Sequence, residues 1–423
     1  MPANRNILLV GDIKVKIIDG HVEIFGAEFT SGSEVSLDRF MSAPLETMED
    51  SEIEVEFGEE GYIAETPMKL IPDDWRDVAS KILNLPRSSK VLVCADVDAG
   101  KSGFICYTVN RCIGGGKRVA IIGADTGQSE MNPPTTIGLA IASRPIIHLS
   151  DLSYISAFFV GSTSPAGMLE RSIVGILRML RMAVDMDVDL ILINTTGWVH
   201  GSGGRELKEL KLIGVNPDML VIMEKEKGEL NYLVALAEKM GIRCEVIQAA
   251  PRLRARSREE RRMLRKKYYA KEFSGASEVR IMMDEVAFMY SYLGTGVPLD
   301  ADEMLGVVNT IGFVPEYAEK TKDKVLIITR KNIPEEAVEA LKKTLGRPVI
   351  VINPTDLENL LVGLLDENLN VLGLGIITKF DPASRILTIH TRVDQKRVRI
   401  VALGRIKVNL DYEEVGWLDP WSL

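Results

Sequence analysis

Hydrophobic and polar positions alternate near the start of the chain. Ile13, Val15 and Ile17 are separated by lysines, Val22 and Ile24 follow an Asp19-Gly20 turn, and Ile53, Val55 and Phe57 alternate again. A period of two, broken by Asp-Gly and Gly turns, predicts antiparallel strands with one buried face. Pro67 and Pro72 then punctuate a linker. Beyond it the pattern changes. Residues 91–94, 119–122, 190–193 and 220–223 are unbroken apolar runs. Each is too short for a helix and too uniform for a strand with a wet face. Between them lie segments of helical spacing, such as 168–186. Buried strands alternating with helices predict βαβ units and a parallel sheet. From about residue 300 the β pattern returns, with runs at 325–328, 349–352, 371–377, 386–390 and 398–403.

Composition narrows the field. A chain of 423 residues, 46 % hydrophobic and 26 % charged, allows two or three domains and argues against disorder or a fibre. No apolar run reaches the ~18 residues of a membrane span. The opening MPANRNILLVGD lacks the basic region, apolar core and cleavage site of a secretory signal, so a cytoplasmic protein without a membrane role is expected. With 51 basic and 60 acidic residues the formal charge is -9, which excludes a wholly basic nucleic-acid binder but leaves room for a local basic patch. Cys94, Cys106, Cys112 and Cys244 form no C-x-x-C pair and read as reduced core residues. His21, His148, His200 and His390 are scattered, which argues against a zinc site.

Chemistry concentrates in four segments. The first apolar run leads into Ala95-Asp96-Val97-Asp98-Ala99-Gly100-Lys101-Ser102. This fits the phosphate-binding G-x-x-x-x-G-K-[ST] loop, with Ala95 at the first glycine position. Amides of such a loop and of the helix behind it cradle phosphates. Lysine reaches the β and γ phosphates and the hydroxyl can ligate Mg²⁺. Asp98, Ala99, Gly100, Lys101, Ser102 and Gly103 are therefore the expected nucleotide-binding residues. The second run ends in Gly123-Ala124-Asp125-Thr126-Gly127-Gln128. A carboxylate there faces the ligand crevice of a doubly wound sheet, so Asp125 is expected to hold Mg²⁺ or take a proton; capping the turn before Gly127 is its other reading. The third ends in Asn194-Thr195-Thr196-Gly197-Trp198, where an indole among small polar residues could stack on a base or serve the core. Finally, residues 252–267 carry nine basic side chains, including Arg252, Arg254, Arg256 and Arg261, against Glu259 and Glu260. Such a segment clamps phosphates or is a solvated helix. Arg256 and Arg261 can converge only if Arg256 precedes the helix, which predicts Ser257 as N-cap with Glu260 completing a capping box.

These segments together resemble the polynucleotide 5′-hydroxyl kinases, a family that includes the kinase subunit of the pre-mRNA cleavage machinery, nucleolar pre-ribosomal-RNA kinases and archaeal RNA/DNA kinases. The order P-loop, D-x-G-Q, T-x-G-W and Arg-rich lid matches over nearly the whole chain, and Gly161–Pro165, Tyr268-Tyr269 and Phe273 also fit. The resemblance implies an α/β P-loop domain (76–300, lid about 252–273) between small β domains at 1–75 and 301–423. It implies transfer of the ATP γ-phosphoryl group to the 5′-hydroxyl of RNA or DNA, with RNA-processing proteins as partners. Lys101, Asp125, Arg256 and Arg261 would be catalytic, and Ser102 and Asp125 would hold Mg²⁺. Gln128, Thr195, Thr196, Gly197 and Trp198 would bind the acceptor. The chain departs from the family pattern at Ala95, Gly103, Gly123 and Asn194, the last two where many members carry acids. Two rivals stay open: a catalytically weak ATP-binding scaffold in RNA processing, and a nucleotide-switch ATPase or GTPase, the latter without an N-K-x-D motif.

Overall fold

The computed structural model describes residues 1–250 and 256–422; Arg252 and Arg254 lie outside the described residues. The chain forms two compact units, one of Met1–Phe158 with Ser164–Arg265, the other of Phe159–Thr163 with Lys266–Leu423.

The first unit opens with two antiparallel sheets. Strands 27–30, 21–24, 42–47, 6–10 and 62–66 form one, and strands 34–37, 13–19 and 52–57 the other. Alternation sets the register: Val15 pairs with Val35 on one side and Val55 on the other, while Lys14 and Lys16 face water. The inward residues Leu9, Val15, Ile17, Val22, Ile24 and Leu45 fill the space between the sheets. Burial of such side chains stabilises by about 25 cal/mol per Å² of apolar surface.

Helix α1 (Asp73–Leu83) then leads into a seven-stranded sheet. Its strands are β1 (Ser89–Ala95), β2 (Val119–Ala124), β3 (Thr136–Ala142), β4 (Tyr154–Phe159), β5 (Leu190–Thr195), β6 (Met219–Glu224) and β7 (Arg243–Gln248). The order is β4-β3-β2-β5-β1-β6-β7. Strands β2, β5, β1, β6 and β7 run parallel, and β3 pairs antiparallel with β2. All four apolar runs of the sequence lie in this sheet. They are uniformly apolar because helices α2 (Lys101–Gly114), α3 (Leu169–Val184), α4 (Gly201–Val215) and α5 (Asn231–Lys239) leave these strands no wet face. The carboxyl ends of β1, β2 and β5 lie side by side, where a parallel sheet binds ligands.

Helix α6 (Arg258–Glu272) follows. The second unit has a seven-stranded sheet built from strands 277–282, 386–391, 371–381, 360–365, 400–408 and 287–289, with 414–417 pairing on 400–408. It also contains a smaller four-stranded sheet, 297–298, 317–320, 325–328 and 349–352, carrying helices 301–311 and 335–345. The C-terminal region is therefore β-rich but not purely β. Gly161, from the family-like Gly161–Pro165 segment, lies here with φ +83, and a Cβ on it would sit 2.8 Å from Gly404 Cα. Only glycine allows that approach.

Candidate active site

One cleft in the first unit gathers most of the residues singled out above. Val97 to Gly103, Asp125, Gln128, Asn194, Gly197 and Arg256 line it. The P-loop owes its shape to two left-handed positions, Asp98 (φ 57) and Gly100 (φ 95). Asp tolerates that region better than most residues, and glycine enters it freely. Ala95 is the last residue of β1, in strand conformation, so its methyl is accommodated where a glycine is common. Helix α2 has no side-chain cap at Gly100, so its first amides remain available to an anion.

Lys101 opens α2 and is 8 % exposed. Its ammonium donates to the carbonyls of Ala95 (3.1 Å) and Asp96 (2.8 Å), lying back across the loop it would leave to meet phosphates. Burial, with the nearby Lys208 ammonium, pulls it down to about 8, and Asp125 opposes the shift. A triphosphate beside it would oppose that shift. Asp125 lines the cleft while its Oδ1 accepts from the amides of Gly127 and Gln128, both at 3.1 Å, so the turn-capping role and a cleft position coexist.

Arg256 lines this cleft, and Arg261 bonds to Asp98, a P-loop residue that lines it. Ser257 Oγ accepts from the Glu260 amide at 3.1 Å and Glu260 Oε2 accepts from the Ser257 amide at 2.6 Å, the capping box the spacing predicts. Arg256 therefore precedes the helix. Its guanidinium donates to Glu130 (3.0 Å) and to the Phe40 carbonyl (3.2 Å). Arg261 donates to Asp98 in the P-loop at 2.6 Å. Glu130 is a residue that sequence reasoning passed over. Burial alone would raise its carboxyl, but His148 (3.4 Å) and Arg256 hold it far below the ordinary carboxylate range. Its only signal in sequence was its place two residues beyond Gln128.

The loop at 194–198 divides. Gly197 lies against the P-loop, where a Cβ would be 2.7 Å from the Val97 backbone. Thr195 is fully buried, and its hydroxyl donates to the Val93 carbonyl at 2.8 Å, so it faces the sheet rather than the cleft. The Thr196 hydroxyl caps the loop by accepting from the Trp198 amide at 3.4 Å. Trp198 is half-exposed, outside the residues lining the cleft, with its indole over Gly203 and Gly204 in the first turn of α4. A Cβ at Gly203 would meet that ring at 2.7 Å, which is why the helix starts with small residues.

The departures have local explanations. A Cβ on Gly123 would stand 2.6 Å from Asn132 Oδ1, so the side chain of Asn132 fills the place an acid would take. A Cβ on Gly103 would lie 3.0 Å from the ring of Phe25, which comes from the N-terminal sheets and also lines the cleft. Phe40, Met41, Pro44, Leu70 and Trp75 continue this apolar end, none of them identified from sequence. Asp96, His200 and Glu229 bring ligand atoms within 4.8 Å of one another, but Lys225 already occupies Asp96 at 2.7 Å.

Comparison with known proteins gives consistent results. Residues 95–275 match the family model for the mRNA cleavage and polyadenylation factor CLP1 P-loop, and residues 9–72 that for the N-terminal beta-sandwich domain of polyadenylation factor. The chain is 35 % identical to a polyribonucleotide 5′-hydroxyl-kinase of Pyrococcus furiosus, over 84 % of this chain and 97 % of the relative. It is 32 % identical to one of Thermococcus kodakarensis, over 82 % and 96 %. A solved complex of Clp1p with Pcf11p superposes with a TM-score of 0.64, covering 96 % of both chains; at 13 % identity this likeness establishes the fold.

Proposed function

The chain belongs to the polyribonucleotide 5′-hydroxyl-kinase family, and from that premise we propose that it transfers the γ-phosphoryl group of ATP to a 5′-hydroxyl of RNA through the cleft described above. The observation that carries the mechanism is the contact of the P-loop with the acceptor loop at Val97 and Gly197, beside Asp125. Donor and acceptor sites so placed can bring an attacking hydroxyl in line with a γ-phosphorus, and positioning is most of what phosphoryl transfer requires.

The adenine base fits the apolar end formed by Phe25, Phe40, Met41 and Trp75, leaving the triphosphate along the amides of residues 98–103. Lys101 exchanges its two carbonyl partners for β and γ oxygens. Asp125 accepts the proton of the attacking 5′-hydroxyl, a role typically worth ~10²–10⁴-fold in rate. Ser102 and Asp125 offer hard oxygen ligands at the mouth of the P-loop, which suits Mg²⁺; bound there, the ion would neutralise charge on the β and γ phosphates. Arg256 and Arg261 leave Glu130 and Asp98 for the phosphates as the lid closes. Trp198 stacks on the terminal nucleotide beside the cleft.

The test is incubation with γ-labelled ATP, Mg²⁺ and matched RNA oligonucleotides bearing a 5′-hydroxyl or a 5′-phosphate. Label is expected on the first and not on the second. ATP bound without any label transferred would instead support the scaffold reading.

A further inference from the structure

Helix α4 carries two lysines where a helix packed on a sheet ordinarily carries apolar residues. Lys208 is 0 % exposed and Lys211 1 %, on the same face as Leu207, Leu212 and Val215. Burial pulls their ammonium groups down to about 7 and about 8, respectively. A buried ammonium is costly unless hydrogen bonds replace its water. Lys208 has such bonds: its Nζ donates to Thr195 Oγ1 at 2.7 Å and to the Thr196 carbonyl. Thr195 Oγ1 in turn donates to the Val93 carbonyl of β1 at 2.8 Å.

Two successive residues of the acceptor loop thus hang on one cation. Beyond them the chain makes its close approach to the P-loop at Gly197 and turns Trp198 back over Gly203 and Gly204. The same helix that supplies Lys208 also supplies the glycine floor under Trp198. Removing the ammonium frees the start of a short, tight loop at Thr195 and Thr196, whereas α2 and the phosphate loop keep their own hydrogen bonds.

We infer that Lys208 is a positioning residue for the kinase reaction, holding the 195–198 loop in the conformation that receives the 5′-terminal nucleotide. This rests on the proposed kinase function. It separates Lys208 from Lys101: one fixes where the acceptor sits, the other meets the donor.

The experiment compares wild type, Lys208→Met, Thr195→Val and the double variant. Three quantities are read: thermal midpoint, affinity for a fluorescent ATP analogue, and affinity for a 5′-hydroxyl RNA oligonucleotide by anisotropy with a non-hydrolysable ATP analogue present. Hydrogen bonds to a charged group predict that Lys208→Met weakens oligonucleotide binding roughly ten-fold or more while nucleotide affinity holds within about two-fold. Thr195→Val is expected to move the same affinity in the same direction. The double variant is expected to be no weaker than the weaker single one, because both remove one connection. Equal oligonucleotide affinity in wild type and folded Lys208→Met overturns the inference. So does parallel loss of both affinities, which marks a merely structural lysine. Should Lys208→Met not fold, unchanged oligonucleotide affinity in Thr195→Val overturns it, and a selective loss there supports it. Wild-type protein that neither binds nor phosphorylates the oligonucleotide overturns the kinase reading itself, and the inference with it.

Discussion

Individual residues decide what this site can accommodate. At Gly123 an acid cannot simply be restored, because Asn132 Oδ1 stands 2.6 Å from where its Cβ would be. Gly123→Asp alone is expected to lower the thermal midpoint, with no gain in transfer. Paired with Asn132→Ala, the new carboxylate has room, and a rise in kcat over Asn132→Ala alone would identify the missing acid as a limit on rate. Asp125 is the one carboxylate given the proton-accepting role on this account. Asp125→Asn keeps the shape and the acceptor for the Gly127 and Gln128 amides, so kcat should fall about 10²-fold or more while ATP affinity changes little. An unchanged kcat would remove Asp125 from proton transfer. Most of these residues were legible in sequence because backbone geometry ties a short motif to its place. Phe40, Trp75 and Glu130 were not, because the fold brings them to the cleft from distant stretches that carry no motif. Lys208 and Lys211 are harder still. In a sequence they read as ordinary helix cations, and only packing reveals that their heads never reach water.

At the scale of elements, the strands of the parallel sheet announced themselves through apolar runs, since burial on both faces leaves no alternation to misread. The run at 360–365 is as apolar but is interrupted by Gly363; in the fold the Phe159 ring stands 2.6 Å from the place of its missing side chain. Helices 301–311 and 335–345 were missed among the β-type runs that surround them. Helix α6 tests the lid most clearly. With Arg256 before its cap and Arg261 one turn inside, Arg256→Ala and Arg261→Ala should each lower kcat strongly; an arginine acting on a transferring phosphoryl group can contribute ~10³-fold or more. Arg262, exposed on the outer face, should affect kcat little, and its replacement by Ala should weaken RNA binding mainly at low salt. Three equally mild variants would return the segment to a solvated helix. The Glu130 partner of Arg256 adds a pH dependence. Its carboxyl lies below its ordinary value of 4.5 in the folded state, so the unfolded chain binds the proton more readily. The stabilisation is therefore complete above about pH 4.5 and is lost as pH falls toward the folded value. Glu130→Gln should flatten the fall in thermal midpoint between about pH 5 and pH 3; a slope equal to wild type would deny the ion pair that role.

For the molecule as a whole, the cleft proposed to hold the nucleotide is lined from both the N-terminal sheets and the P-loop sheet within one compact unit. Phe25 and Phe40 bring aromatic surface to a cleft whose phosphate end is built from backbone amides. Phe40→Ala should accordingly raise the KM for ATP while leaving that for RNA near the wild-type value, as a contact on the base rather than on the reacting groups would. Equal rises in both would place Phe40 elsewhere in the mechanism. The central claim is that donor and acceptor meet in this one cleft, so that the γ-phosphoryl group passes directly to RNA. The most direct measurement is a single-turnover experiment on wild-type protein with ATP and excess 5′-hydroxyl RNA, counting ADP formed and RNA 5′-phosphate formed in the same samples. The account predicts one 5′-phosphate per ADP throughout the time course. ADP accumulating without matching 5′-phosphate would contradict it.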